Sequence, residues 1–171
     1  MFNKRDDVWY ERLYSPWTDL DKIMREQKAL LQGNVRAMNS YMNRVALTTF
    51  SYFDTGKRPS GEEPERFYHG FVLGLLVELS DRYVITSNRE SGFGRYDVML
   101  EPKGSEKDDA IILEFKVFDS YDEKTLEETV QSALHQIEEK AYAAQLIARG
   151  IPKNKIRSYG FAFQGKKVLI G

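Results

Sequence analysis

Cysteine is absent from the 171-residue chain, which excludes disulfides, thiolate-held metals and cysteine nucleophiles. With only two histidines besides, any metal site must be built from oxygen ligands and suit a hard divalent ion. Neither sign of charge dominates. The formal net charge of −1 supplies no global basic field, so affinity for a polyanion would need a local basic groove. Long apolar runs are missing as well: the longest, Phe71 to Leu79, is broken by Glu78 and is far too short to span a bilayer, so no membrane partner is expected. Met1 to Trp9 lack the apolar core of a signal peptide, and a soluble protein of cytoplasmic location is the expectation. Neither a repeat nor a low-complexity segment occurs. A G-x-x-x-x-G-K-[ST] phosphate loop and a G-x-S-x-G elbow are also lacking, which argues against an ATPase of the first kind and a hydrolase of the second.

What is present is the composition of a globular domain: 42% hydrophobic and 30% charged residues, in a chain long enough to enclose a core. Leu20, Ile23, Met24, Leu30, Leu31, Val35, Met38, Met42 and Val45 recur at helical spacing, with Thr18 or Asp19 placed to cap the start and Gly33 placed to break the pattern in two. The polar, turn-rich Asp54 to Pro64 reads as a linker. Pro64 suits the first turn of a helix running to about Ser80, with Tyr68, Val72, Leu75, Leu76 and Leu79 facing inward. Strands are predicted over Tyr83–Asn88, Arg95–Glu101 and Ala110–Phe118. A helix follows from about Asp122 to Arg149, closed by Gly150 and Pro152, and then strands over Ile156–Phe163 and Lys167–Ile170. A strand, a long helix and another strand make a crossover with parallel strands, and hairpins before it make the sheet mixed. The expectation is thus an α/β fold with a mixed central sheet flanked by helices over residues 64–171. A helical segment over 1–50 and a linker over 51–63 precede it.

Within Ala110-Ile-Ile-Leu-Glu-Phe-Lys-Val-Phe118, Glu114 and Lys116 are two apart and share one face of a strand. Charges in a sheet core cost several kcal/mol unless paired, hydrogen-bonded or holding a metal. Asp97 lies one strand earlier, where a hairpin would bring it beside Glu114. Two carboxylates in contact repel unless a cation sits between them or one is protonated. Oxygen ligands beside a lysine suit Mg²⁺, which binds through one or two carboxylates and keeps several waters. Two other readings stay open on spacing alone: a strand whose polar face meets water, and an Asp97–Lys116 ion pair that neutralises itself.

Five segments in order resemble one family: Phe67-Tyr-His-Gly-Phe-Val-Leu-Gly-Leu-Leu76, Ser87-Asn-Arg-Glu-Ser-Gly-Phe-Gly-Arg-Tyr-Asp97, Ile112-Leu-Glu-Phe-Lys116, Gln136-Ile-Glu-Glu-Lys-Ala-Tyr142 and Tyr159-Gly-Phe-Ala-Phe-Gln-Gly-Lys166. Together they are similar to the PD-(D/E)XK nuclease superfamily, and more closely to the nuclease-like domain at the C-terminal end of bacterial AAA-ATPase-like proteins. The resemblance covers about residues 62–171. It implies a restriction-endonuclease-like αβββαβ core, Mg²⁺ or Mn²⁺ as cofactor, hydrolysis of nucleic acid, with DNA the expected substrate, and an AAA-ATPase-like partner or domain. Asp97 and Glu114 would be the metal-binding carboxylates, with the Phe115 carbonyl as a further ligand and Lys116 as the catalytic lysine. Glu65 would match the acidic residue that many members carry on the first helix. His69 is similar to the first-helix histidine of the RecB-like branch, against the plainer reading of a half-buried histidine bonded to a neighbour. Gln136 matches a glutamine that RecB-like members follow with tyrosine four residues on. Here Lys140 holds that place, and Tyr142 comes six on. At about 100° per residue Gln136 and Lys140 share a helix flank while Tyr142 points away, so Gln136 and Lys140 are the substrate-side candidates, together with Arg95 in the glycine-punctuated turn. Tyr96 replaces the proline of the family pattern. The rival expectations are a catalytically silent module of the same fold that binds nucleic acid or protein, and a fragment whose Met-rich N-terminal helices pair in a homodimer.

Overall fold

The computed structural model describes residues 27–49, 63–91, 94–104 and 108–171; for 49, 63–66, 88–91 and 94–96 it describes the backbone alone. The first 26 residues and the expected linker, except for Glu63, therefore lie outside the described residues. Helical residues 27–32 stop at Gly33, whose φ of 70° is open to glycine at little cost. Asn34 then caps helix α1 (Val35–Thr49), its Oδ1 accepting the Ala37 N–H at 3.1 Å. Met38, Met42 and Ala46, four apart, are the buried stripe of α1, as helical periodicity requires. Helix α2 (Glu63–Leu76) repeats the device with Tyr68, Val72 and Leu76, and tightens into a 3₁₀ turn over Val77–Asp81 that buries Leu79.

Five strands lie side by side in chain order: β1 (Tyr83–Ser91), β2 (Gly94–Pro102), β3 (Ala110–Val117), β4 (Ile156–Gln164) and β5 (Lys167–Ile170). Every neighbouring pair is antiparallel except β3 and β4, which are parallel, as the crossover argument expects. Alternation splits the core in two. Val98, Leu100, Ile111, Leu113 and Phe115 face α1 and α2; Met99, Ala110 and Ile112 face the crossover helices. Gly160 on β4 admits the crossover helix closely, for a Cβ there would lie 2.7 Å from the Val130 carbonyl oxygen.

That crossover differs from the single helix predicted over Asp122–Arg149. Helix α3 runs only from Leu126 to Glu139, capped by Thr125, and α4 covers Ala143–Ala148. The break is a Schellman turn: the Ala141 N–H bonds Glu138 O at 3.0 Å and the Tyr142 N–H bonds Ile137 O at 3.2 Å. Glycine normally takes the left-handed position of such a turn. Here it is Ala141, at φ 51°, so no glycine marks the break.

The N-terminal helices share the sheet's core: Ala29, Leu30, Met38, Met42 and Ala46 belong to the cluster that contains Leu113 and Phe161. Helix α1 also covers the β5 edge. Asn39 takes the Ile170 N–H at 2.9 Å and gives to its C=O at 2.8 Å; Asn43 does the same for Val168 at 3.0 and 2.6 Å. Two side-chain amides thus stand in for a neighbouring strand. No described helix is long and apolar enough to cross a membrane.

Candidate active site

β2 and β3 pair from Leu100↔Ile111 to Val98↔Leu113, and that register continued by one residue sets Asp97 opposite Glu114. Both project to the α3 face, since Val98 and Leu113 face the other way. Beyond this point β2 stays with β1 as far as Gly94↔Ser91, while β3 follows β4. The strands part, and Asp97 bridges the gap: its Oδ2 accepts the Phe115 N–H at 2.8 Å. In an extended strand a residue's N–H and C=O point to the same side, so the Phe115 carbonyl also faces the opening beside Asp97.

Glu114 is 3% exposed, the one carboxylate among the buried described residues. Its Oε1 accepts a close hydrogen bond from Gln136 Nε2, and its Oε2 is buried beside it. The same amide nitrogen reaches the Tyr142 hydroxyl at 3.3 Å, so one NH₂ group joins α3, the Schellman turn and β3. Tyr142 does not point away from Gln136, as continuous helical rotation requires. The left-handed Ala141 swings it back over the sheet, where it is buried with Met99 and Ile137. The only sequence trace of this is the two-residue excess between Gln136 and Tyr142.

Lys116 lies two residues beyond Glu114 on the same face, half-buried opposite Ala162, and forms no ion pair with Asp97. The self-neutralising pair is therefore not formed. Lys140 caps α3 on the Gln136 flank and is half-buried. His69 is not among this group. Its ring packs 5.7 Å from that of Phe115, which faces the opposite side of the sheet, and its Nε2 bonds Ser87 Oγ at 2.8 Å. Glu65 sits one helical turn before His69 on α2, and Arg95 pairs with Glu90 at the start of β2; the side chains of both lie outside the described residues.

Away from the site, ion pairs hold the opposite end of the sheet. Arg149 joins Glu101, and Asp109 binds Arg157 at 2.5 Å and Lys155 at 3.3 Å. Burial pushes the Asp109 carboxyl up, but hydrogen bonds and charges from Arg157 and Lys155 outweigh it and hold it below the usual carboxylate range.

A mixed sheet with helices on both faces, carrying an acidic pair and a lysine where its second and third strands part, is a restriction-endonuclease-like α/β fold. A family model of the PD-(D/E)XK nuclease superfamily matches residues 63–171. The chain belongs to that superfamily. A search of curated proteins found no match.

Members typically use divalent metals. The donors on this face fit such an ion: two carboxylates and one peptide carbonyl, all hard oxygens, with no cysteine in the chain. Among the described residues no cluster of three acidic or histidine side chains forms.

Proposed function

We propose that this protein is a metal-dependent nuclease that hydrolyses phosphodiester bonds of DNA with Mg²⁺ or Mn²⁺, working in the cytoplasm with an AAA-ATPase-like partner or domain. The observation that carries the reading is the meeting of Asp97 and Glu114 across the parting of β2 and β3, with Lys116 on the same face. Asp97, Glu114 and the Phe115 carbonyl would hold the ion. When bound, it supplies a water of lowered pKa and an electrophile for the phosphoryl oxygen. Gln136 keeps Glu114 oriented through Oε1, and the Tyr142 hydroxyl keeps Gln136 in place. Lys116 has an ammonium with no ion pair among the described residues, free to align the attacking water and to meet charge that develops on the phosphate. Glu65 on α2, with Arg95 and Lys140, completes the residues assigned to metal and substrate; His69, bonded to Ser87 across the sheet, has no part in it.

Incubating linear, circular and single-stranded DNA with the full chain and Mn²⁺ tests the reading. Lys116→Ala should lower cleavage by about 10²- to 10⁴-fold. Cleavage that survives this substitution unchanged belongs to a contaminant. A second reading is a silent module of the same fold that binds nucleic acid or protein; the enclosure of Glu114 and the net charge of −1 favour it. Under that reading Mn²⁺ neither binds at Asp97 nor supports cleavage.

A further inference from the structure

The loop that leaves the site has been built to hold one aromatic ring in water. β3 and β4 are parallel, so their carboxyl ends lie together, with the Phe118 N–H bonded to Phe163 O at 2.9 Å. Ligands of open α/β sheets bind outside these carboxyl ends. From here Asp119 starts a tight turn. Its carbonyl accepts the N–H groups of Asp122 and Glu123 at 3.2 and 2.8 Å, and its Oδ1 accepts that of Tyr121 at 2.9 Å. Glu123 closes the loop, its Oε2 taking the Asp119 N–H at 3.2 Å and the hydroxyl of the fully buried Thr129 at 2.5 Å. Five hydrogen bonds thus tie the segment to itself and to α3. Their product is Tyr121, 91% exposed, the most exposed of the large hydrophobic side chains among the described residues. A lone exposed aromatic on a loose loop needs no explanation. One presented by an ordered turn beside the candidate site does.

Tyr121 lies five positions beyond Lys116, at most about 17 Å of extended chain, which is the reach of a few nucleotides. A phenol ring offers a base a π-face to stack on, with a single hydroxyl at its edge. The loop and the first turn of α3 carry exposed Asp122, Glu127 and Glu128 against one exposed Lys124, an acidic balance that opposes the two phosphate chains of a duplex lying across the loop. A single unpaired base meets no such conflict. It stacks on the ring while its own phosphate lies toward Lys116, and exposed Lys167, in the β4–β5 hairpin at the same end of the sheet, offers a cation on that side.

We propose that Tyr121 is a base-stacking residue of the substrate path and that the site acts on single-stranded nucleic acid. This rests on the nuclease reading above and narrows its substrate. The test is fluorescence anisotropy in EDTA, where no metal supports cleavage, with an unstructured oligonucleotide and its duplex as probes. Tyr121→Ala should weaken single-strand binding by about 5- to 150-fold and leave duplex binding unchanged. Tyr121→Phe, which keeps the ring, should bind as the parent does. Unchanged single-strand affinity in Tyr121→Ala overturns the proposal and leaves the ring to a protein partner. Equal loss on duplex, or equal loss in Tyr121→Phe, also overturns it. Should the parent chain bind and cut duplex alone, the nuclease reading stands and this one falls; should it neither bind nor cut any nucleic acid, both fall.

Discussion

Replacing Gln136 by alanine removes a side chain that donates to the buried carboxylate of Glu114. A hydrogen bond to a charged group contributes about 1.5–3 kcal/mol, and stripping a donor from a carboxylate that is 3% exposed leaves little water to replace it. Gln136→Ala should therefore destabilise the fold by about 2 kcal/mol in urea, seen as a lower midpoint at unchanged m-value. Gln136→Glu should cost more, because it sets one carboxylate against another. Double-mutant cycles apportion the effect. With Glu114→Gln as the second change, the coupling should be about 1.5 kcal/mol or more, whereas independent sites add to within about 0.5 kcal/mol. Divalent ions supply a second readout. If Asp97 and Glu114 hold Mg²⁺, an ion concentration of 100 times Kd raises stability by about 2.7 kcal/mol. Losing the group that orients a ligand weakens metal affinity about 10- to 100-fold. Additive mutants and an unaltered Mg²⁺ response in Gln136→Ala would refute the claim that Gln136 positions Glu114.

Other expectations follow from single contacts. Ala141→Gly should stabilise the protein by about 1 kcal/mol, read as a melting temperature a few degrees higher, because only glycine adopts φ 51° without a Cβ penalty. Asn39→Ala with Asn43→Ala strips four hydrogen bonds from the β5 edge, at about 1 kcal/mol each, and should promote self-association visible by ultracentrifugation; a monomer of parental stability would contradict the edge-covering role. Burial pushes the Tyr68 and Tyr83 phenols up to about 12, with Asp108 adding to burial at Tyr83. An unfolded tyrosine releases its proton near pH 10, so below that pH these two sites favour the fold fully. Their contribution is lost as pH rises toward 12. Urea midpoints should fall over that window, and less steeply in Tyr68→Phe; equal slopes would count against a buried phenol there.

Much of the fold was legible because it follows from periodicity. The stripe Tyr68, Val72, Leu76 spaces a helix wherever it packs, and Ala110 to Val117 alternate between two cores because successive strand residues must. All five strands begin within a residue of their predicted starts, since Gly94, Pro102 and Gly165 end regular pairing locally. The Schellman break was not legible. Helix propensity at Lys140-Ala141-Tyr142 is unremarked by glycine or proline, and Ala141 goes left-handed because Tyr142 and Leu146 find burial against Ile112 and Met99.

The acidic pair, the lysine two residues on and the oxygen-only donor set were determined by the sequence itself, for strand alternation and the absence of cysteine need no tertiary context. Only the folded chain decided which neighbours these charges meet. Gln136 reaches Glu114 across 22 residues of sequence, Asn39 and Asn43 reach β5 across more than a hundred, and His69 turns to Ser87 on the far side of the sheet. Hydrogen bonds between elements depend on distances of a few tenths of an ångström, and those are set by how whole layers pack rather than by any local spacing.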